Sequence, residues 1–527
     1  MNTKFLLSAF LVSCAGLAFG QGPAADYADD AFRFSDFSQS GTARFRGLGG
    51  NQTALGGDAS NLFGNPAGLA FYNRSELSIS PSFNLVNNQN TFLGTQTSSN
   101  GGKLNVGQLG LVLAGSSSNE RRWRRTAFGV TYSQSTNFYD KIDARGTNRN
   151  PNSSIAQVYA NNATAGNYSE AALSDDWDPS NNTVSFTEAG AYGLYLINPT
   201  NLGTNGSGPP YTRLASDASK AKDQRATLNR SGTHSQWTVS YAGNLDDKLY
   251  IGGSIALTRL RYSSEYTFLE APINGIDFAN YSQINRFDVT GNGINATLGL
   301  IYKLSNDLQV GATLTSPTFS SGHEAFAQTL AVNLAQNSNI TLRRPNTVNV
   351  TSPYDNFDYS LQTPLRASGG ATYFLGKGKI GFITATAEYV GYNGMRVRTS
   401  YFDAQQDNTD FKNDVKQVVR STYQNVVNLR AGAEIRAGLL RLRAGVGYLP
   451  SAYKIDLDRV ARGDRDKLLL SAGLGVRNDR FFADLSGSYL TYKTGFTAFQ
   501  LPNESDTPTV ATSNRNTNVM LSFGVFF

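Results

Sequence analysis

Cysteine is all but missing from this 527-residue chain: the one present, Cys14, stands so near the N-terminus that the body of the chain has neither a disulfide nor a thiolate metal site. Histidine is almost as scarce. His234 and His323 lie far apart and read as loop or rim residues, and no G-x-S-x-G elbow or H-E-x-x-H pair accompanies them, so hydrolase and zinc chemistry lack their usual parts. Charged residues make up only 16%, and the formal charge of +6 is spread thinly. Its single cluster, Arg121-Arg122-Trp123-Arg124-Arg125, reads as a membrane-surface or solvated turn rather than a nucleic-acid site. Beyond Gly20 there is no run of about 18 apolar residues, which excludes helical membrane spans. What the chain does have is 52 glycines and an 11% share of aromatics, a balance that favours strands and turns.

The first residues, Met1 to Lys4, precede an apolar run from Phe5 to Val12 and the small-residue end Ala18-Phe19-Gly20. This is the pattern of a secretory signal (1–20) cleaved after Gly20, its apolar core too short to span a bilayer. The competing reading is a lipoprotein box, Leu11-Val12-Ser13-Cys14, with lipid on Cys14. An exported chain without helical spans has two homes: free solution, or a closed barrel whose backbone pairs with itself in lipid.

From residue 76 onward the sequence alternates with period two, and its two faces differ in kind. Val427, Leu429, Ala431, Ala433 and Ile435 are set against Asn428, Arg430, Gly432, Glu434 and Arg436. Leu440, Leu442, Ala444, Val446 and Tyr448 are set against Arg441, Arg443, Gly445 and Gly447, and the chain ends on Val519, Leu521, Phe523, Val525 and Phe527. Soluble sandwiches alternate too. The connections discriminate better. Strands are expected near 76–87, 103–115, 124–136, 234–244, 248–270, 284–303, 308–330, 358–375, 379–401, 425–437, 439–455, 466–478, 480–494 and 514–527, an even number of about fourteen. Short turns at 116–123, 245–247, 305–307, 376–378, 438 and 478–479 alternate with long polar loops at 88–102, 137–233, 271–283, 331–357, 402–424, 456–465 and 495–513. Short turns on one rim and long loops on the other belong to a transmembrane antiparallel up-and-down β-barrel. A terminal aromatic strand is also what barrel insertion machinery reads in such proteins.

Residues 21–75 do not alternate and are crowded with Gly and Ala, too many for a leader and too apolar for a disordered arm. Their economical place is inside the barrel, since fourteen strands enclose a lumen too wide for wall side chains to fill. Here stand Gly56-Gly57-Asp58-Ala59-Ser60 and Asn65-Pro66-Ala67-Gly68-Leu69. Asn65-Pro66 reads as a turn or cap, because Pro66 fixes its own φ and pushes Asn65 out of the helical region. This stretch resembles the N-terminal hatch of the FadL/TodX family of outer-membrane transporters for long-chain fatty acids and aromatic hydrocarbons. Thr313-Leu314-Thr315-Ser316-Pro317 is similar to the family's strand-end Ser-Pro signature, with Thr315 where Arg is commoner. The insert 137–233 has no counterpart in the resemblance.

The resemblance implies passive uptake of hydrophobic molecules such as long-chain fatty acids: capture at extracellular loops, a hatch (21–75) gating the lumen of a barrel (76–527), and sideways release at a kinked strand, by order the third, near Arg124 to Thr136. It implies a monomer in the bacterial outer membrane, in contact with its lipid, with the N-terminus on the periplasmic side within the barrel. It implies no cofactor, metal, nucleic acid or catalysis. Gly56, Gly57, Asp58, Asn65, Pro66, Ala67 and Gly68 carry the hatch motif. Among inward charges, Arg430, Arg441 and Arg443 offer forks for a substrate carboxylate; a salt-bridge network with Glu388, Glu434, Arg436 and Asp484 is the alternative use of the same residues. Asp175-Asp176-Trp177-Asp178 lacks the glycine and terminal Glu of a calcium loop and reads as a solvated turn, and Arg462-Gly463-Asp464 is too common a tripeptide to indicate adhesion. The rival reading is a general porin or an adhesin-like barrel.

Overall fold

The computed structural model describes residues 24–36, 41–115, 122–200, 210–351, 357–456, 460 and 462–527. The expected cleavage site at Gly20 and the alternative lipid site at Cys14 lie outside the described residues. Fourteen antiparallel wall strands close into a barrel. They are β1 (Glu76–Phe92), β2 (Thr95–Ala114), β3 (Trp123–Asn137), β4 (Lys222–Leu245), β5 (Leu249–Pro272) and β6 (Phe278–Lys303). Then come β7 (Leu308–Thr315, resumed at Phe319–Leu334), β8 (Phe357–Gln362, resumed at Arg366–Leu375) and β9 (Gly381–Val390, resumed at Arg396–Thr399). The last are β10 (Val426–Ala437), β11 (Leu440–Leu449), β12 (Lys467–Arg477), β13 (Phe481–Thr497) and β14 (Thr509–Phe526). Each pairs with its sequence neighbours, and β14 closes on β1 from Phe526↔Glu76 to Val510↔Phe92.

Alternation becomes an inside and an outside. Along β14, Val519, Leu521, Phe523 and Val525 face out while Met520 and Ser522 are fully buried within. Leu298 on β6 is 65% exposed and Leu257 on β5 is 62% exposed, whereas Gln309, Thr384, Glu434 and Asp484 are buried. Apolar outside and polar inside inverts the order of a water-soluble domain and matches a wall immersed in lipid. No helix among the described residues is long and apolar enough to cross a membrane.

The long rim departs from expectation in instructive ways. Residues 88–102, expected as a loop, continue β1 and β2 to a two-residue turn at Leu93 and Gly94, both with positive φ (50° and 79°). Above a lipid belt a strand no longer needs an apolar face, so Asn88, Gln89, Asn90 and Thr91 keep the ladder without the hydropathy signal. The segment 137–233 is likewise no single loop: Asp140–Asn148 pairs with β4, which itself starts at Lys222. Between them, helices α3 (Ile155–Ala165), α4 (Glu170–Asp175), α5 (Thr187–Gly193) and α6 (Ala215–Ala218) form a cap with a small hairpin. Ile155, Tyr159, Leu173 and Leu194 bury against Phe268 and Leu330 of the wall strands and Phe499 of the loop that follows β13. Arg344 pins this cap, donating to the carbonyls of Leu173 (2.7 Å) and Ala189 (2.9 Å).

Residues 402–424, expected as a loop, hold α7 (Gln405–Thr422), which buries Val415, Val418, Val419 and Thr422 at helical spacing. Three strands expected to be continuous are interrupted side by side. Pro317 and Pro364, lacking N–H groups, break β7 and β8, and a single turn at Tyr392–Gly394 breaks β9. Side chains repair part of the ladder: Thr318 N–H donates to Thr363 Oγ1 at 2.8 Å, and Asn295 Nδ2 to Thr318 Oγ1 at 3.0 Å.

Candidate functional site

The N-terminal segment contributes α1 (Ala24–Arg33), α2 (Ala43–Gly47) and two 3-10 turns, Ala59–Leu62 and Pro66–Phe71. Their caps come from the motif residues. Asp58 accepts from Ser60 N–H at 2.9 Å, with Asn61 answering as a capping box. Asn65 accepts from Ala67 N–H at 3.1 Å and donates to the carbonyls of Thr53 (2.5 Å) and Leu300 (3.3 Å), so one side chain caps a turn and ties it to β6. Gly57 takes φ +71°, and a Cβ at Gly56 would stand 2.2 Å from the Phe71 ring. Gly68 packs against Asn61.

This segment rests on wall backbone. A Cβ at inward Gly311 would lie 1.9 Å from the Thr53 carbonyl oxygen, and one at Gly445 would lie 2.2 Å from Gly49 N. Gly432 meets Leu48, Gly252 meets Pro66 and Gly299 meets Asn65, so contacts reach widely separated wall strands. One electrostatic tie joins in. Arg44 lies 3.5 Å from Glu434 of β10 and 3.9 Å from its own Asp58, and donates to the Gly57 carbonyl at 3.0 Å. Glu434 also pairs with Arg443 at 2.8 Å and with Arg436 at 2.9 Å, and Arg443 reaches Asp484 at 2.5 Å.

Higher in the barrel α1 lies in an aromatic cluster shared with α7 and the strand ends. Tyr27 meets Phe411 (centroids 5.0 Å) and Phe357 (5.2 Å), and Phe32 stacks on Tyr423 (4.8 Å). Beside α1 and α2 opens a cavity of about 370 Å³, lined among others by Phe32, Arg46, Val86, Phe138, Tyr139, Tyr262, Tyr453 and Tyr492. Such a volume is within the usual range of small-molecule pockets.

The cavity borders the third strand where the wall loses a pairing. β2 and β3 pair only from Ala114↔Ala127 to Gln108↔Ser133. At Ser135 the register of β3 against β4 shifts. Ser135 Oγ donates to the His234 carbonyl at 2.9 Å, which places His234 on an inward strand position rather than in a loop. The continuation Asp140–Asn148 then bonds to the hairpin through side chains: Asn88 Nδ2 to Asp140 Oδ1 at 2.7 Å and Thr97 Oγ1 to the Asp143 carbonyl at 2.6 Å. Residues 95–107 of β2 are therefore laddered to β1 alone, opposite the cavity-lining residues Gln134 to Asp140.

The three arginines singled out in the sequence have different surroundings. Arg443 is held by Glu434 and Asp484, and Arg430 bonds Glu388 at 2.9 Å beside a second, smaller cavity. Arg441 donates to the carbonyls of Gly438 and Leu440 at the short-turn rim. Sequence reasoning missed Arg46 and the α1–α7 aromatic cluster. The spacing of Tyr27, Ala28, Ala31 and Phe34 was the available signal for α1.

No protein-family model and no curated protein matches the chain. Solved structures do. A FadL homologue of Pseudomonas aeruginosa aligns over 93% of this chain and 99% of its own, at 12% identity and a TM-score of 0.53. The toluene transporter TodX of P. putida aligns over 92% of this chain and 98% of its own, at 13% identity and a TM-score of 0.50. Similarity this distant establishes the architecture.

Proposed function

We propose that this chain, which has the fold of FadL/TodX-like outer-membrane channels, carries hydrophobic molecules such as long-chain fatty acids passively across the bacterial outer membrane. The observation that carries this reading is the conjunction of an aromatic-lined cavity and a stretch of β2 laddered to β1 alone at the level of the bulge in β3. The N-terminal segment acts as the hatch: seated across the lumen, it denies water and ions a straight path. A hydrophobic molecule collected under the cap and α7 moves into the cavity beside Phe138 and Tyr139, then leaves sideways between β2 and β3 into lipid. An open porin needs no obstruction resting on its wall, so the reading differs from a general porin in a measurable way.

Deletion of residues 21–75 is expected to open a large ion conductance in planar bilayers and abolish selective uptake; an unchanged conductance refutes the hatch. Deletion of Ser135, the extra residue of the β3 bulge, is expected to let β2–β3 pairing extend and to stop uptake in a barrel that still folds. Undiminished uptake by that variant refutes lateral exit while leaving the hatch standing.

A further inference from the structure

The charged groups around the 370 Å³ cavity are not equally satisfied. Arg33 pairs with Asp30, Arg230 with Asp140 at 3.3 Å and Lys467 with Asp36, while Arg465 lies over the Tyr453 ring at 4.8 Å. Arg46 differs. Its guanidinium has no ion pair among the described residues, and its Nε, like that of Arg230, is buried without a hydrogen-bond partner. Burial pushes this group down to about 10, which still leaves it charged at neutral pH. A partly dehydrated cation without a counter-ion is an unfavourable arrangement that an incoming anion relieves.

We propose that Arg46 is an anion site carried on the N-terminal segment, and that it takes the carboxylate head of an amphiphile whose tail lies along the aromatic side of the same cavity. The proposal rests on the transport reading above and adds to it the residue that selects the cargo's head group. A guanidinium fork fits a carboxylate in two parallel hydrogen bonds. One cation without an ion pair among the described residues neutralises one charge, and Asp29, Asp36 and Asp140 line the same space, so a multiply charged head is disfavoured. Because Arg46 belongs to α2, the head group binds the plug itself, whereas the inward arginines of the wall, Arg430 and Arg443, are already held by Glu388, Glu434 and Asp484.

The test is equilibrium binding of radiolabelled laurate and of 1-dodecanol, equal in chain length, to the purified full-length protein in a neutral detergent. The unaltered protein is expected to prefer laurate by at least about tenfold, the scale of a charge-assisted hydrogen-bond pair. Arg46→Gln is expected to bring the two ligands within about twofold by weakening laurate alone, and Arg46→Lys to keep most of the preference. Equal affinities in the unaltered protein, or a preference that survives Arg46→Gln, overturn the assignment even though dodecanol still binds. The first of these needs no variant to fold. Failure of both ligands to bind the unaltered protein sinks the transport reading and this one with it.

Discussion

Replacing Arg44 with methionine removes an ion pair that ties the N-terminal segment to the wall. At 3.5 Å from Glu434 the gross attraction is about 5 kcal/mol at an effective dielectric of about 20. Little of that is net, because Arg44 is dehydrated in place and Glu434 keeps Arg443 at 2.8 Å and Arg436 at 2.9 Å when Arg44 is gone. Loss of the remaining attraction to Glu434 amounts to about 2 kcal/mol, or about a thirtyfold rise in the population with the segment detached. Amide hydrogen exchange in micelles measures that population. The N–H groups of Arg46, Leu48 and Gly49, bonded within the segment, are expected to exchange about thirtyfold faster in Arg44→Met, with strand amides unchanged. Arg436→Met is the control, since Arg436 shares Glu434 and donates to the Gly378 carbonyl on the wall. Exchange that stays at the wild-type rate in Arg44→Met, or rises equally in the control, refutes the tie.

Other substitutions probe separate parts of the architecture. Gly311→Val drives a side chain into the Thr53 carbonyl and is expected to raise bilayer conductance, whereas Gly487→Ala, with nothing within 4 Å of its Cβ position, leaves it unchanged. Leu470→Arg on the outer face is expected to cost about 2–4 kcal/mol if it lies near mid-bilayer, read as the urea midpoint of folding into liposomes; a cost near zero places that face outside lipid. In the cap, burial pushes the carboxyl of Glu188 from an ordinary 4.5 up to about 8. The folded cap then holds a proton that the unfolded chain releases, so its stability is full in acid and falls as pH rises from 4.5 to 8. Exchange of α5 amides is expected to quicken across that interval in the wild type and to stay flat in Glu188→Gln, after correction for intrinsic rates; equal slopes in the two dispose of the idea.

The parts legible in the sequence are those where lipid imposes a rule. Alternation such as Leu440 to Tyr448 survives because one face must be apolar, and fourteen strands could be counted from it. Where lipid ends, so does the signal: Asn88 to Thr91 reads as loop although it continues β1, and α7 hides in a polar stretch because only Val415, Val418 and Val419 mark its buried side. The motif around Asp58 and Asn65 was visible as a motif, because caps and turns are local. That Arg44 reaches Glu434 while Arg46, two residues on, reaches no acid among the described residues depends on packing between elements hundreds of residues apart.

The glycines beneath the N-terminal segment carry a mechanical consequence. At Gly311, Gly432 and Gly445 the inner wall is smooth, and backbone lies against backbone there. A surface of that sort offers few teeth against sliding at those three points, so what holds the segment in place falls to the polar ties around them, Arg44 with Glu434, Lys467 with Asp36 and Gln309 with the Ala54 carbonyl.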